Sequence, residues 1–453
     1  MEKGTTVGCA KIAALFDPGT FVETGAFMKR GDDLTGVVCG YGAVRGKLVY
    51  AFAQDSDRKK GAIDALQAEK IAKLYAMAQK NGAPVVGMFD SIGATVADGA
   101  SVLSAYGKLL KVVSDASGVI PQIAIINGVC AGMAATVAAM FDVIVTVKDQ
   151  SELYVNAPFL AGKEIGTADY TAENGLASII AESEEDAVAT AIKLVSMLPS
   201  NCEEGVAIED INDDINRTVS VDGLSGKELI TALADAGDFV ELGESYAEEM
   251  ITGVAIFGGV TCGVVANNAD QNGGVITCEG AKKAAKLISF CDSFSIPVVT
   301  LVDSTGVATD AESEGAPLAA QLGKLAMAYA SADTAKITVV CGKAYGAAFT
   351  LMGSKALGAD MVYALPTSEI SVMAPASAVA FLWNDKITEN LTRADLIEKW
   401  TNECASPEAA AADGSIDDVV KANELRQRIC AAVYMLMMKN AGTPARKHCN
   451  LPL

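Results

Sequence analysis

The chain has 453 residues, 51% of them hydrophobic and 20% charged, with a formal net charge of -21 at pH 7. That much apolar material excludes a disordered chain and fills two cores of ordinary domain size. The acidity excludes a phosphate-backbone partner, so no nucleic acid is expected.

Asp17-Pro-Gly-Thr-Phe-Val-Glu23 opens the ordered pattern, and Gly-bounded apolar runs at 36–46 and 47–53 then predict a hairpin. Ile71, Leu74, Tyr75 and Ala78 recur at three- and four-residue spacing, which predicts a helix over 65–81. A buried strand at 84–89, a glycine loop, a helix at 99–114, a strand at 120–126 and a helix from Gly132 complete the series. The acidic stretch 181–216, with Pro199 and Glu203-Glu-Gly205, reads as a linker.

The plan then returns. Asp235-Ala-Gly-Asp-Phe-Val-Glu241 repeats the opening motif 218 residues on, and Pro297-Val-Val-Thr-Leu-Val-Asp-Ser-Thr-Gly306 repeats Pro84-Val-Val-Gly-Met-Phe-Asp-Ser-Ile-Gly93 after 213. Gly342-Lys-Ala-Tyr-Gly-Ala-Ala348 repeats Gly128-Val-Cys-Ala-Gly-Met-Ala134 after 214. Between them lie a hairpin at 252–266, a helix at 279–294, strands at 297–302 and 336–341, a helix at 317–332 and a helix from Gly346. A repeat of this length is a whole domain. Strand-helix alternation predicts right-handed βαβ units and a mostly parallel sheet in each. Domains are placed at 1–217 and 218–453.

His448 is the only histidine, so Ser-His-Asp and Cys-His nucleophiles and a His-ligated metal are poor expectations; no metal is predicted. The 11 cysteines are scattered with no Cys-x-x-Cys, which argues against a zinc ribbon or a disulfide framework. No stretch approaches the roughly 20 apolar residues of a membrane span. The start Met1-Glu-Lys-Gly4 lacks a signal-peptide layout, so a cytoplasmic protein is expected.

Chemistry without imidazole points to the backbone. Two loops in each half end a buried strand in glycine and lead into a helix: Gly93-Ala94 with Gly132-Met133, and Gly306-Val307 with Gly346-Ala347. Glycine lets a ligand approach the main chain, and a helix start leaves N–H groups without partners. Two such loops side by side aim two amides at one oxygen, as an oxyanion hole does. The plain alternative is that these glycines serve only tight turns and close packing. Asp90 and Asp303, just before the loops, are assigned to capping rather than to general-base catalysis.

At these residues the chain resembles the biotin-dependent acyl-CoA carboxyltransferase family, which includes the propionyl-CoA carboxylase β subunit and carboxyltransferase subunits of decarboxylases acting on methylmalonyl-CoA and glutaconyl-CoA. The resemblance is carried by Leu15-Phe-Asp-Pro-Gly-Thr-Phe-Val-Glu23, Gly118-Val-Ile-Pro-Gln122, Lys343-Ala-Tyr-Gly346, Tyr363-Ala-Leu-Pro-Thr-Ser-Glu-Ile-Ser-Val-Met373 and Arg446-Lys-His-Cys-Asn-Leu-Pro-Leu453. It implies two tandem crotonase-like (ClpP/crotonase) α/β domains related by duplication, the first for acyl-CoA and the second for biotin. It also implies a biotin carboxyl carrier protein as a separate chain, and a biotin carboxylase or a membrane decarboxylase subunit as partner. The chain would then be cytoplasmic or peripheral to a membrane complex. A homo-oligomer, dimer or trimer of dimers, is implied, with each active site between the first domain of one subunit and the second of another.

On that scheme Gly93, Ala94, Gly132 and Met133 hold the thioester oxygen, and Gly306, Val307, Gly346 and Ala347 the ureido oxygen of biotin. Carboxybiotin would release CO2 and take the α-proton, and the thioester enolate would attack CO2. Lys59, Lys60, Gly61 and Ala62 are candidates for the CoA phosphates, beside the plain reading of a solvated charge pair. Thr350, where the family carries an aspartate, is a candidate on the biotin side.

The chain departs from the family pattern where Gly-Gly pairs become Ile92-Gly93, Gly132-Met133 and Gly346-Ala347, and it lacks the helices that usually precede the Asp-Pro-Gly motif. Met435, Met437 and Met438 are read as helix core or interface filler, and Trp383 and Trp400 as packing. Two other readings stand beside the enzyme: a structural paralogue within such a complex, and a biotin-independent crotonase-type hydratase or isomerase.

Overall fold

A computed structural model describes residues 6–439 except 31–32, 163, 209–212 and 222. The C-terminal motif with His448 lies outside the described residues. The repeated Asp motif explains the start of each half. The hairpin Val37–Val44 with Lys47–Gln54 turns at Arg45-Gly46, both at positive φ (47° and 80°). Its twin, Met250–Phe257 with Val260–Asn267, turns at Gly258-Gly259 (61° and 80°). Such turns leave two N–H groups pointing outward. The Asp17 carboxylate accepts those of Arg45 (3.1 Å) and Gly46 (2.9 Å), and the Asp235 carboxylate those of Gly258 (2.9 Å) and Gly259 (2.7 Å).

From the hairpin each chain half continues as parallel strands. Val85–Ser91 and Gln122–Ala131 are mostly buried, as Val/Ile-rich runs between helices require. The first sheet orders its strands Val22–Thr24, Val37–Val44, Lys47–Gln54, Val85–Ser91, Gln122–Ala131, Val143–Val147 and Ile179–Ala181, with Glu152–Tyr154 also beside Gln122–Ala131. The second repeats this as Phe239–Glu241, Met250–Phe257, Val260–Asn267, Val298–Ser304, Lys336–Tyr345, Met361–Ala364 and Asp418–Val419, with Glu369–Ser371 beside Lys336–Tyr345.

Ala65–Asn81 starts at Asp64, whose side chain accepts the Gln67 N–H, and stops at Gly82 in the left-handed region. It buries Ile71, Leu74, Tyr75 and Ala78, each large apolar side chain contributing about 1.5–3 kcal/mol. Beneath it Phe52, Phe89 and Phe141 stack edge to face at 5.4 Å. Tyr75 satisfies its buried hydroxyl on Gln122 Oε1 at 2.9 Å. The twin helix Cys278–Ser293 buries Ala284, Leu287 and Ile288.

The described residues fall into two compact units. One runs to Ala207 and includes Gly243–Tyr246; the other holds Ile208–Leu242 and continues from Ala247. Arg217, in the second unit, donates to the carbonyls of Ala232 and Ala234, both at 3.2 Å.

Three expectations are corrected. The stretch 181–216 is not a plain linker, since Glu184–Met197 is a helix burying Ala187, Ala191, Leu194 and Val195. Glu184, Glu185 and Asp186 stand in its first turn, where the helix dipole favours carboxylates. A helix, Val7–Ala13, does precede Asp17; at seven residues it buries only Gly8 and Ile12, too few for a periodic signal. Met435 and Met438 are 62% and 92% exposed, so of the two readings given for them the core one falls and the interface one stands untouched. Trp383 and Trp400 do pack together, edge to face at 4.9 Å.

Candidate active site

Each donor loop begins where a parallel strand ends. In the first unit Ser91 Oγ accepts the Gly93 N–H at 3.1 Å, and Gly93 takes φ 104°, which bends the chain away from the sheet. Ile63 N–H then donates to Gly93 O, and Thr95 N–H to Ile63 O, both at 2.8 Å. Ala94 lies between these two bonds, so its own N–H faces the other side of the ribbon and donates to no described residue. The second loop follows the neighbouring strand. Gly132 N–H donates to Tyr154 O at 2.8 Å, and Gly132 (φ 63°, ψ -129°) precedes helix Met133–Ala138. Met133 is the first helical residue, and its N–H has no acceptor within the helix.

The two loops lie against each other. Ser91 pairs with Cys130, and a Cβ placed on Gly93 would sit 3.3 Å from Ala131 O. A Cβ on Gly132 would meet no atom within 4 Å, so open space lies in front of it. Gly93, Ala94, Gly132 and Met133 are thus brought together.

The second unit repeats the arrangement bond for bond. Ser304 Oγ accepts the Gly306 N–H (3.2 Å), Ile276 N–H donates to Gly306 O (3.0 Å), and Ala308 N–H to Ile276 O (3.0 Å). This leaves Val307 in the position of Ala94. Gly346 N–H donates to Ser371 O (2.9 Å), and Gly346 (φ 57°, ψ -128°) starts helix Ala347–Leu351. Gly306, Val307, Gly346 and Ala347 form the second set.

The serines were legible only as part of Asp-Ser-x-Gly; that they hold the loop needs the loop's shape. The strands Glu152–Tyr154 and Glu369–Ser371, whose carbonyls anchor the second loops, were not singled out either. Burial raises the Cys130 and Cys341 thiols, on the strands that feed these loops, well above the usual thiol range, so thiolate chemistry has no footing there. Among the described residues no group of His, Cys, Asp and Glu could hold a metal ion.

Lys59, Lys60 and Gly61 form a short turn with φ 51°, 51° and 67°, and both lysines are exposed. Lys60 O accepts the Ile92 N–H at 3.2 Å, so this turn borders the first donor loop; Ala62 follows it, buried. The twin turn, Asn272–Gly274, carries no charge. Thr350 is an exposed residue within the helix that starts at Ala347.

Backbone N–H groups at the carboxyl ends of parallel strands, made twice by a duplicated α/β plan, are a geometry that can stabilise a carbonyl oxyanion without a side-chain acid. A carboxyl transferase domain model matches residues 1–451, and the chain belongs to that family. It is 35% identical over 481 residues to the methylmalonyl-CoA decarboxylase α subunit of Veillonella parvula, covering 100% of this chain and 94% of that one. It is 34% identical over 482 residues to the propionyl-CoA carboxylase β chain of Cereibacter sphaeroides, covering 100% and 94%. A solved transcarboxylase 12S, described as a hexamer with methylmalonyl-coenzyme A and methylmalonic acid bound, superposes with a TM-score of 0.92 at 33% identity over 98% of this chain and 92% of that one. The family resemblance, the two tandem crotonase-like domains and the carboxyltransferase class expected from the motifs are borne out. No helix among the described residues is long and apolar enough to cross a membrane.

Proposed function

We propose that this chain is the carboxyltransferase subunit of a biotin-dependent acyl-CoA carboxylase or decarboxylase of the propionyl-CoA/methylmalonyl-CoA type. The carrying observation is the pair of amide donors, Ala94 with Met133, repeated as Val307 with Ala347. The first pair takes the thioester oxygen, where negative charge gathers as the α-carbon gives up a proton or a carboxyl group. Main-chain dipoles fixed in place before reaction stabilise that charge without reorganising.

The first unit receives the acyl-CoA because its turn offers Lys59 and Lys60 to phosphates, while the twin turn offers none. The second pair suits a neutral ureido oxygen, which needs two donors and no cation. Val307, Ala347 and the exposed Thr350 would hold biotin there. Biotin, when bound, supplies the ureido nitrogen that carries the carboxyl group and accepts the α-proton. It comes on a separate carrier protein, and a biotin carboxylase or a membrane decarboxylase subunit completes the system. In this reading the chain assembles as a homo-oligomer, dimer or trimer of dimers, in which one copy's first domain works with another's second. The hexamer described for the transcarboxylase 12S relative supports that assembly.

The test gives purified protein methylmalonyl-CoA with free biotin or a biotinylated carrier and follows loss of the carboxyl group. Turnover that requires biotin supports the reading. Normal assembly with no turnover on any acyl-CoA supports a structural subunit instead, and turnover of an enoyl-CoA without biotin supports a crotonase-type hydratase.

A further inference from the structure

The strands that carry each donor pair are out of step at one place. Phe89 pairs with Ile126, but the next pair is Ser91 with Cys130, so Asp90 alone faces residues 127–129. In the twin, Val302 pairs with Val340 and Ser304 with Ala344, so Asp303 alone faces residues 341–343. A bulge of this kind re-aims whatever follows it. Here a donor follows within four residues on both strands: Ala94 and Met133, or Val307 and Ala347.

The aspartate side chain fills the bulge. A Cβ on Gly128 would lie 2.3 Å from Asp90 Oδ1, and one on Gly342 would lie 2.4 Å from Asp303 Oδ1. On the other side, a Cβ on Gly61 would lie 1.9 Å from Asp90 O, and one on Gly274 would lie 2.2 Å from Asp303 O. Each aspartate is therefore gripped between two positions that admit only glycine.

The carboxylates are held in two ways. Lys11 Nζ donates to Asp90 Oδ2 and to Asn127 O, each at 3.2 Å, from a side chain only 12% exposed. Asp303 Oδ1 instead accepts the main-chain N–H of Lys343 at 2.8 Å. The same wedge survives in both halves although its anchors have diverged, which separates it from incidental packing.

We propose that Asp90 and Asp303 are positioning residues: each fills the bulge between two donor-bearing strands and so sets the spacing of the two amides that share one oxygen. This rests on the function proposed above. It assigns the carboxylates no proton transfer, so an amide of the same shape should serve nearly as well.

The test compares asparagine with valine at both positions. Asparagine keeps the shape and the acceptor, whereas valine, branched at Cβ and ending at Cγ, neither reaches the place of Oδ1 in the bulge nor offers an acceptor. With methylmalonyl-CoA and biotin, asparagine should leave kcat within about threefold of wild type. Valine should lower kcat roughly 100-fold, the scale of a displacement of about 1 Å. KM for methylmalonyl-CoA should move by no more than about threefold in all four variants, because the lysine turn is untouched. Asparagine falling as far as valine, or valine keeping wild-type kcat, would overturn the proposal. Amide hydrogen exchange in peptides spanning 91–95 and 131–135 judges it without turnover. Valine at 90 should speed exchange there and asparagine should not; unchanged exchange in the valine variant would overturn it. An inactive wild type with this exchange pattern intact would sink the proposed function and leave the positioning role standing.

Discussion

The backbone-donor reading meets its sharpest test at Gly132. Its φ of 63° and ψ of -129° place it where only glycine is relaxed, and a residue with a side chain held there costs on the order of 1–3 kcal/mol. Gly132→Ala adds a Cβ that meets no atom within 4 Å, so no clash adds to that cost. The strain has two outlets. Kept, it appears as lost stability of that size. Released, it rotates the peptide between residues 132 and 133 and swings the Met133 N–H off the oxyanion. Losing one such donor lowers kcat by about 10²–10³-fold. Proline is a poorer probe, because it removes the Gly132 N–H bond to Tyr154 O and demands a φ near -65°.

The assay pairs kcat for biotin-dependent decarboxylation of methylmalonyl-CoA with a urea unfolding midpoint, on Gly132→Ala and on the twin Gly346→Ala. At the twin the added Cβ would sit 3.1 Å from Val372 O, so less room remains for relief and more of the loss should be in stability. An alanine at 132 that keeps both wild-type kcat and wild-type midpoint would refute the reasoning.

Replacing Lys59 and Lys60 by alanine should raise KM for the CoA thioester about tenfold, the discounted worth of exposed charge-assisted phosphate contacts, with kcat nearly unchanged. A truncated thioester lacking the nucleotide should show no such change. Arg426 is fully buried and ion-paired with Asp235 and Asp213, so Arg426→Met should strand the Asp235 carboxylate and destabilise the protein by about 3–5 kcal/mol in urea titrations. The Arg217 guanidinium on Asp213 holds that carboxyl at about 2, below its unfolded value near 3.9. A depressed carboxyl stabilises the fold above the unfolded value, so this contribution is lost as pH falls from about 4 to about 2, and Asp213→Asn should flatten stability across that window.

Much of this fold was legible because period and repetition are local properties of a chain. The strand predicted at 84–89 is Val85–Ser91, and the helix predicted at 99–114 is Ala100–Ala116. The strand predicted to stop at Ile126 runs to Ala131 instead. The strand passes through Asn127-Gly128, where Gly128 makes room for the Asp90 carboxylate, a contact set by the neighbouring strand and not by the local sequence. The donor glycines were legible for the same reason as the strands, since each pair stands at the end of an apolar run. Ser91, Ser304 and Lys11 were not, because their roles depend on where a loop or a distant helix lands.

On the function proposed above, the departures from the family's Gly-Gly pairs leave the donor geometry in place in both copies. An oxyanion held by main-chain N–H groups constrains φ and ψ, not side chains, and both copies keep their glycines at positive φ: 104° and 63° in the first, 140° and 57° in the second. The residues that supply the donors are free to differ, and they do, with Ala94 and Met133 in one unit against Val307 and Ala347 in the other. Side chains flanking the donors then set what each site admits. Ile92 and Met133 stand 52% and 39% exposed around the first pair, while Thr305 and Ala347 take their places around the second. On the function proposed above, one backbone plan would serve an apolar acyl group in one unit and a polar ring in the other, since the main-chain donors are common to both and only the flanking side chains differ.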